Sequence, residues 1–319
     1  MGIPGYPKVF QLGHKEIGEL LLPGEIVVQE KIDGSQFSFM KSDEGDVLFK
    51  SHKCNITPDS APNLFEGAVA HVLSVQDRLI PGQIYRGEVL SKPKHNTLAY
   101  SRIPKNHIAL FDIELGVGQG RFATPWSVQV EARQLEVECV PMFYNNTQAP
   151  EGVLLDRIKE WLELESCLGG VKIEGVVIKN YSRFNQYQAG WVQMGKYVSE
   201  AFKERNREAW RPGVSIVDSL IEALHTEARW LKAVQNLKEC GQLLNEPKDI
   251  GALVRIVHAD IKDEEAAFIA EKLYNNFVGQ ILKGSTSGLA EWYKEELAKQ
   301  QPGVGDGKTE DTEEVQEGS

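Results

Sequence analysis

Short hydrophobic runs separated by turn residues dominate the chain between positions 25 and 196. Most of these runs are rich in β-branched or aromatic side chains, which is the composition of strands. The sequences Asp-Gly-Ser and Asp-Glu-Gly-Asp separate the first three runs, and both are typical of turns. We therefore predict seven strands, with the sequences EIVVQEK, SQFSFMK, DVLFKS, QIYRGEVL, HIALFDIEL, VKIEGVVIKN and WVQMGKYV.

A helical period replaces this pattern in two places between the strands and throughout the chain after Val198. The two interposed helices have apolar faces formed by Phe65, Ala68, Val72, Val75 and Leu79 and by Leu154, Ile158, Trp161 and Leu162. Four later stretches keep the helical period: DSLIEALHTEARWLKAVQNL, PKDIGALVRIVHADI, EEAAFIAEKLYNNFVGQIL and LAEWYKEELAKQ. We therefore expect a strand-rich domain over residues 1–204 and an all-helical domain over residues 205–300.

The composition shows that acidic residues outnumber basic ones. The formal net charge is -11, so a polyanionic partner would have to bind a local basic groove rather than a whole basic face. Residues 301–319 contain almost no apolar side chains and six acidic ones. We predict that they form a disordered acidic tail.

Four cysteines, Cys54, Cys139, Cys167 and Cys240, are scattered without CxxC spacing. We therefore expect neither a zinc site nor a disulfide framework, and we expect a reducing, cytoplasmic location.

No apolar run approaches the roughly 20 residues of a membrane-spanning helix. The N-terminus lacks the basic and apolar regions of a secretory signal.

Residues 31–34 (KIDG) are the first candidate for reactive chemistry. Lysine attacks phosphorus only as the neutral amine, so a nucleophilic lysine needs neighbouring cations, and usually a metal, to lower its pKa. A strand-end lysine before a glycine turn presents its amine and lets a nucleotide approach the backbone closely. Taken alone, the motif is more often that of a surface lysine before a turn.

Four further motifs follow in order, each on a predicted strand or at its end. They are residues 85–88 (YRGE), 111–113 (FDI), 174–179 (EGVVIK) and the segment around Lys196. Together with KIDG, they resemble the motifs of the covalent nucleotidyltransferases, which are the DNA ligases, RNA ligases and mRNA capping enzymes. The resemblance implies an α+β fold, in which a nucleotidyltransferase domain of antiparallel sheets with flanking helices precedes a small all-helical C-terminal domain.

Within this superfamily the chain is most similar to the RNA ligase 2 family known from bacteriophages, over about residues 25–299. The stretch EKIDGSQFS resembles the opening motif of that family. Helical segments follow Lys196, where DNA ligases and capping enzymes append a strand-rich barrel. PKDIGALVRIVHADI resembles part of the helical domain of RNA ligase 2. The resemblance implies an ATP-dependent RNA ligase that joins 3′-hydroxyl and 5′-phosphate ends through a lysyl-AMP intermediate.

The resemblance also implies which residues bind the nucleotide. Lys31 would take AMP from ATP and release pyrophosphate. Glu88 would accept a hydrogen bond from the ribose, and Phe111 would stack on the adenine. Glu30 would contact the adenine edge, largely through its backbone, and Gly34 would belong to the nucleotide-binding turn.

Three charged residues are implied to act on the phosphates. Glu174 would hold a magnesium or manganese ion, and Lys179 and Lys196 would neutralise the charge that develops on phosphorus. Lys31, Glu174 and Lys196 are thus the expected catalytic set. One departure concerns Met194, which stands where the family has the first lysine of Lys-x-Lys. Either that phosphate contact is lost or another residue supplies it, for example Lys203.

The implied partner is RNA, as a nick in a duplex or folded RNA or in an RNA/DNA hybrid, bound by a monomer. The stretch FKSHKC offers Lys50, His52 or Lys53 near the acceptor 5′-phosphate, but the sequence leaves the register open, and a solvated strand face is equally possible. Other candidate phosphate ligands are Arg86, Lys92, Lys94, Lys179, Lys203 and Arg205.

Two alternative functions also stay open. One is another nucleotidyltransferase such as a DNA ligase or capping enzyme, and the other is a nucleic-acid end-binding protein that has lost catalysis.

Overall fold

The computed structural model describes residues 2–146, 151–184, 191–199 and 214–300. The strands in these ranges are β1 (Phe10–Gln11), β2 (Ile26–Lys31), β3 (Ser35–Lys41), β4 (Val47–Ser51), β5 (Asn55–Ile56), β6 (Gln83–Val89), β7 (Ile108–Leu115), β8 (Glu138–Cys139), β9 (Met142–Asn146), β10 (Gly175–Phe184) and β11 (Val192–Val198). The helices are α1 (Glu66–Ser74), α2 (Pro125–Gln134), α3 (Glu151–Trp161), α4 (Ile216–Leu224), α5 (Glu227–Glu239), α6 (Ile250–Ser285) and α7 (Leu289–Gln300).

The strands form two sheets. One has five strands in the order β1-β11-β10-β2-β9, and the other has six in the order β5-β4-β3-β6-β7-β8. Neighbouring strands are antiparallel except for the β1–β11 and β7–β8 pairs. Each of the seven predicted strands has a counterpart in these sheets. The α+β prediction is therefore confirmed, with mostly antiparallel sheets, flanking helices and a helical C-terminal region (residues 214–300).

Each sheet buries one face against helices. In the six-stranded sheet, Phe37, Phe39 and Phe49 belong to a core that also contains Phe65 and Val72 from the segment of α1. In the five-stranded sheet, an apolar face packs against the side chains of α3; its core residues include Ile26, Val28, Val176, Ile178, Leu154 and Ile158. Because side chains alternate along a strand, the opposite, more polar faces are left to form the surfaces of a cleft.

The C-terminal helices differ in extent from the predicted ones. The stretch predicted as one helix over residues 218–237 is divided between α4 and α5, because the Thr226 side chain caps α5 by accepting from the Arg229 backbone N–H. Two other predicted stretches merge into the single helix α6. Arg229 is buried and pairs with Asp260 and with Glu265, the latter at 2.7 Å, which fixes α5 on α6.

A disulfide joins Cys54, in the turn between β4 and β5, to Cys240 at the end of α5. The expectation that no disulfide forms is therefore wrong. Spacing rules detect cysteines that are close in sequence, whereas these two are 186 residues apart. Cys139 and Cys167 carry free thiols.

Among the residues that the structure describes, no helix combines the length and the hydropathy needed to cross a membrane.

Candidate active site

The polar faces of the two sheets line a common cleft. In the five-stranded sheet, Gly175 pairs with Lys31 and Val177 pairs with Lys196, so the two lysines project from the same face. In the six-stranded sheet, the registers Gln36–Glu88 and Ser38–Lys50 place Glu88 and Lys50 on the face opposite the phenylalanine core. Hydrogen bonds from Gln29 of β2 and Lys179 of β10 to β7 join the two sheets.

The side chains of Lys31 and Glu174 meet at this cleft. Lys31 ends β2, Glu174 immediately precedes β10, and the Lys31 Nζ donates to the Glu174 carboxylate at 2.7 Å. Burial acts to lower the pKa of Lys31, but the charges of Glu174, Glu88 and Asp33 outweigh it and raise that pKa. The expectation that cations surround Lys31 is therefore wrong, because its neighbours in this structure are carboxylates.

The same carboxylates fit a hard divalent cation. Magnesium and manganese prefer oxygen ligands, and magnesium sites in nucleotide-using enzymes take one or two carboxylates together with phosphates and waters. Glu174, Asp33 and Glu88 all act electrostatically on Lys31 and so lie around its amine. Within the described part of the chain, no three His, Cys, Asp or Glu side chains form a preassembled metal cage. An ion here would take most of its ligands from phosphate and water.

Asp33 holds the turn that follows Lys31 through both its side chain and its backbone. Its carboxylate accepts hydrogen bonds from the backbone N–H groups of Thr97 at 2.8 Å and Leu98 at 2.7 Å. Its own backbone N–H donates to the Tyr100 hydroxyl at 2.8 Å. The segment of residues 91–100 (the bracing segment) therefore holds the turn that follows Lys31.

Gly34 is fixed from two sides. The Asn96 side chain of the bracing segment donates to the Gly34 carbonyl at 2.7 Å. A Cβ at this position would lie 2.9 Å from the Val89 carbonyl oxygen, closer than real Cβ contacts. Only glycine therefore lets the turn pack this closely against the end of β6.

Glu88 lies half-buried on β6. Burial raises its pKa to about 8, Glu239 and Glu174 add to the rise, and Lys31 opposes it. Glu88 therefore binds a proton more readily than an exposed glutamate, and the charge of Lys31 counteracts this effect.

Phe111 lines an apolar part of the cleft near the nucleophile. It packs against a cluster that includes Ile32 and Leu90. Tyr6 meets its ring edge-on at a centroid distance of 5.3 Å. The half-buried ring thus offers an apolar surface of the kind on which an adenine can stack.

The Lys179 side chain forms an ion pair with Asp112 and does not point into the open cleft. Its Nζ donates to the Asp112 carboxylate at 2.8 Å and to the Phe111 carbonyl at 3.2 Å, and both side chains of the pair are almost fully buried. Tyr6 and Tyr181 donate their hydroxyls to the same carboxylate. The predicted phosphate contact would require Lys179 to leave this pair, and the geometry favours a role in holding β10 against β7.

Met194 lies directly opposite Lys179 in the register of β10 and β11. It is only 1% exposed, and its sulfur lies 3.1 Å from the Tyr6 hydroxyl oxygen, whose hydrogen is donated to Asp112. The position that carries a lysine in the family pattern is thus part of the protein interior here. Lys203, the suggested replacement, and Arg205 lie outside the described residues.

Glu30 uses its side chain more than the sequence pattern indicated. The carboxylate is 3% exposed and accepts from the Ser166 hydroxyl at 2.5 Å and from the Cys167 backbone N–H at 3.1 Å. Glu30 therefore anchors the segment around Ser166 next to β2.

The prediction that Arg86 contacts phosphate is wrong. Its guanidinium is fully buried and donates to Glu114 at 2.8 Å, to the Ser38 hydroxyl at 2.9 Å and to the Pro4 carbonyl at 3.0 Å. These bonds tie the N-terminal segment to the six-stranded sheet, and none of the guanidinium is accessible from the cleft.

The remaining basic candidates divide by position. Lys50 is half-buried on β4, on the sheet face that also carries Ser38 of β3. Lys53 is exposed in the turn between β4 and β5. Lys92 and Lys94 are exposed on the bracing segment.

Residues 24–198 match the family model described as RNA ligase. No curated protein matches this sequence. Similar solved structures include an apo mutant of Naegleria gruberi RNA ligase, with 17% identity, a TM-score of 0.48, and coverage of 63% of this chain and 56% of that chain. The same enzyme with pyrophosphate gives 18% identity, a TM-score of 0.44, and coverage of 63% and 60%. A putative ATP-dependent DNA ligase from Aquifex aeolicus gives 17% identity, a TM-score of 0.42, and coverage of 92% and 68%.

The chain thus spans just over half the length of the Naegleria chain that it matches. The matched family segment, in contrast, covers more than half of this chain and contains all five motifs from Lys31 to Lys196. This protein belongs to the RNA ligase family.

Proposed function

We propose that this protein is an ATP-dependent RNA ligase that joins a 3′-hydroxyl to a 5′-phosphate through a lysyl-AMP intermediate. The observation that carries the proposal is the contact between the Lys31 amine and the Glu174 carboxylate at 2.7 Å. It lies in a cleft whose walls also present Glu88, Phe111 and Lys196. These residues come from four different strands and the segment before β10, and no packing requirement explains their convergence.

In the first step, the Lys31 nitrogen attacks the α-phosphorus of ATP. A nitrogen–phosphorus bond forms, the bond from that phosphorus to the bridging oxygen breaks, and pyrophosphate leaves; the amine gives up a proton as the phosphoramidate forms. Phe111 would stack on the adenine and Glu88 would bind the ribose. Lys196 lies on the same sheet face as Lys31 and would offset the charge on the phosphate.

Glu174 would hold a magnesium or manganese ion, with Asp33 and Glu88 nearby. When bound, such an ion supplies positive charge that neutralises the phosphates and the surrounding carboxylates. That addition would supply the positive environment around Lys31 that its protein neighbours do not provide.

In the second step, a 5′-phosphate of RNA attacks the AMP phosphorus and Lys31 leaves, which yields an adenylylated RNA end. In the third step, a 3′-hydroxyl attacks that 5′-phosphorus, AMP leaves and the strand is sealed. Lys50 lies on the same sheet face as Glu88, which supports a contact with the 5′-phosphate. Each step is an in-line displacement, so alignment and charge neutralisation supply most of the catalysis.

The proposed substrate is a nick in a duplex or folded RNA, with RNA/DNA hybrids as a second candidate. A-form duplexes are recognised through shape, phosphates and 2′-hydroxyls rather than base sequence. Lys92 and Lys94 are exposed next to the nucleophile turn and would supply phosphate contacts.

We further propose that the protein acts as a monomer, with a catalytic domain at residues 1–204, a helical domain at 205–300 and an acidic tail at 301–319.

Ligation of nicked duplexes in every RNA and DNA combination tests this proposal, with Lys31→Ala as the control. We expect sealing of nicks flanked by RNA in the presence of ATP and either metal, and none with the variant. Sealing of DNA nicks alone would favour a DNA ligase. Tight binding of ends without sealing or adenylate formation would favour an end-binding protein that has lost catalysis.

A further inference from the structure

Helix α5 of the C-terminal helical region reaches the strand that begins directly after the nucleophile turn. The Gln235 side chain donates to the Ser35 hydroxyl oxygen and, at 2.9 Å, to the Glu239 carboxylate. The Lys238 Nζ donates to the His95 carbonyl at 3.2 Å. Ser35 is the first residue of β3 and follows Gly34. Helix α5 therefore contacts residues that hold the nucleophile turn, but it does not touch Lys31.

Ser35 and His95 form a buried polar link beneath this helix. Both side chains are nearly inaccessible, at 0% and 4% exposure. The His95 Nδ1 accepts from the Ser91 backbone N–H at 3.0 Å, so in the neutral ring the Nε2 carries the hydrogen and donates to the Ser35 oxygen at 2.8 Å. The Ser35 hydroxyl in turn donates to Glu239. Each polar group in this network therefore has a partner, which favours a single rigid arrangement.

The link continues to both sides of the nucleophile turn. Through Ser35 it holds the start of β3, which follows Gly34. Through His95 it holds the bracing segment, whose next residues bind the Gly34 carbonyl and the Asp33 carboxylate. The position of α5 is itself secured by the disulfide at Cys240. The helical region is therefore connected to the turn by hydrogen bonds that the sequence motifs do not include.

We propose that Gln235 and Glu239 are positioning residues for Lys31, so that the helical region takes part in forming the lysyl adenylate. This inference rests on the proposed function, since the task of the turn is to present Lys31 to ATP. Neither residue contacts Lys31 or belongs to the five motifs. Their contribution is to limit motion of the turn, and small displacements of a nucleophile reduce rates strongly.

Single-turnover formation of the lysyl adenylate in the full-length protein tests this inference. The maximal rate at saturating ATP and the ATP concentration at half-maximal rate are measured separately for each variant. We expect Gln235→Ala and Glu239→Ala to lower the maximal rate by about tenfold or more, with the half-saturating ATP concentration changed by less than about twofold. Glu239→Gln keeps an acceptor for Ser35 and Gln235, and we expect it to restore most of the rate.

The matched control is Asn236→Ala, which makes the same kind of truncation one residue along α5. Maximal rates in Gln235→Ala and Glu239→Ala equal to that of the wild type would overturn the inference. So would an equal loss in Asn236→Ala, or a loss in Glu239→Gln as large as in Glu239→Ala, because both indicate general destabilisation of the helix. If the wild type itself forms no adenylate, the proposed function fails instead, and the two failures are thus distinguished.

Discussion

The motif around Lys31 identifies this residue as reactive. It does not predict which charges surround the amine. The motif led us to expect cations around the amine, whereas carboxylates surround it and raise its pKa. The difference has a physical reason, because a bound metal ion would bring most of the positive charge. The carboxylates that hold the amine here are the same groups that would receive the metal.

Met194 provides a prediction at the same scale. Restoring the lysine of the family pattern with Met194→Lys should lower the free energy of unfolding by about 2–4 kcal/mol, because it buries a second ammonium opposite Lys179. Chemical denaturation measures the change. Met194→Leu conserves volume and should cost less than about 1.5 kcal/mol. A Met194→Lys protein of unchanged stability and higher ligation rate would show that the position is open to the phosphates.

At the scale of elements, the bracing segment is the main addition to the site. Asp33→Ala removes the acceptor of two backbone N–H groups, at Thr97 and Leu98, and should cost about 1–3 kcal/mol. Hydrogen exchange should then speed up at these two amides. Asp59→Ala, at an exposed aspartate outside the site, is the control and should leave both amides unchanged. Unaltered exchange in Asp33→Ala would contradict the assigned role.

The disulfide gives a second prediction for elements. Cys240→Ser should lower the free energy of unfolding by about 2–4 kcal/mol in oxidising buffer, since the crosslink closes a long loop and restricts the unfolded chain. A reductant should remove the difference from the wild type. Cys167→Ser, which changes a free and exposed thiol, is the control. Thiol titration of the folded protein should find two free thiols, and finding four would contradict the crosslink.

Local patterns predicted most of the longer elements, although not α2 or β9, because alternation and helical periodicity are local properties of the chain. All seven predicted strands have counterparts, and the helix at residues 289–300 was recovered. The short strands β1, β5 and β8 contain two residues each and carry no periodic signal. Partners such as Cys54 with Cys240, or Asp33 with Leu98, depend on the tertiary fold and were not predictable from spacing.

At the scale of the whole molecule, an acidic chain with a net charge of -11 is proposed to bind a polyanion. The proposal requires that attraction be concentrated near the cleft, where Lys50, Lys92 and Lys94 lie. The overall charge would oppose non-specific association of RNA elsewhere on the surface.

Salt dependence of RNA binding tests this distribution. The logarithm of the association constant should fall linearly with the logarithm of salt concentration, and Lys92→Ala and Lys94→Ala should each reduce that slope by about 1. Lys159→Ala, at an exposed lysine of α3, should leave the slope unchanged. Equal effects of all three substitutions would place the RNA contacts elsewhere.

The identity of the nucleophile is the central claim, and covalent labelling tests it most directly. The protein is incubated with labelled ATP or GTP and with magnesium or manganese, then digested and mapped by mass spectrometry. We expect AMP from ATP on Lys31 in the wild type, and no label in Lys31→Ala. Label from GTP but not from ATP, or AMP on any other residue, would contradict the assignment of this protein as an ATP-dependent ligase acting through Lys31.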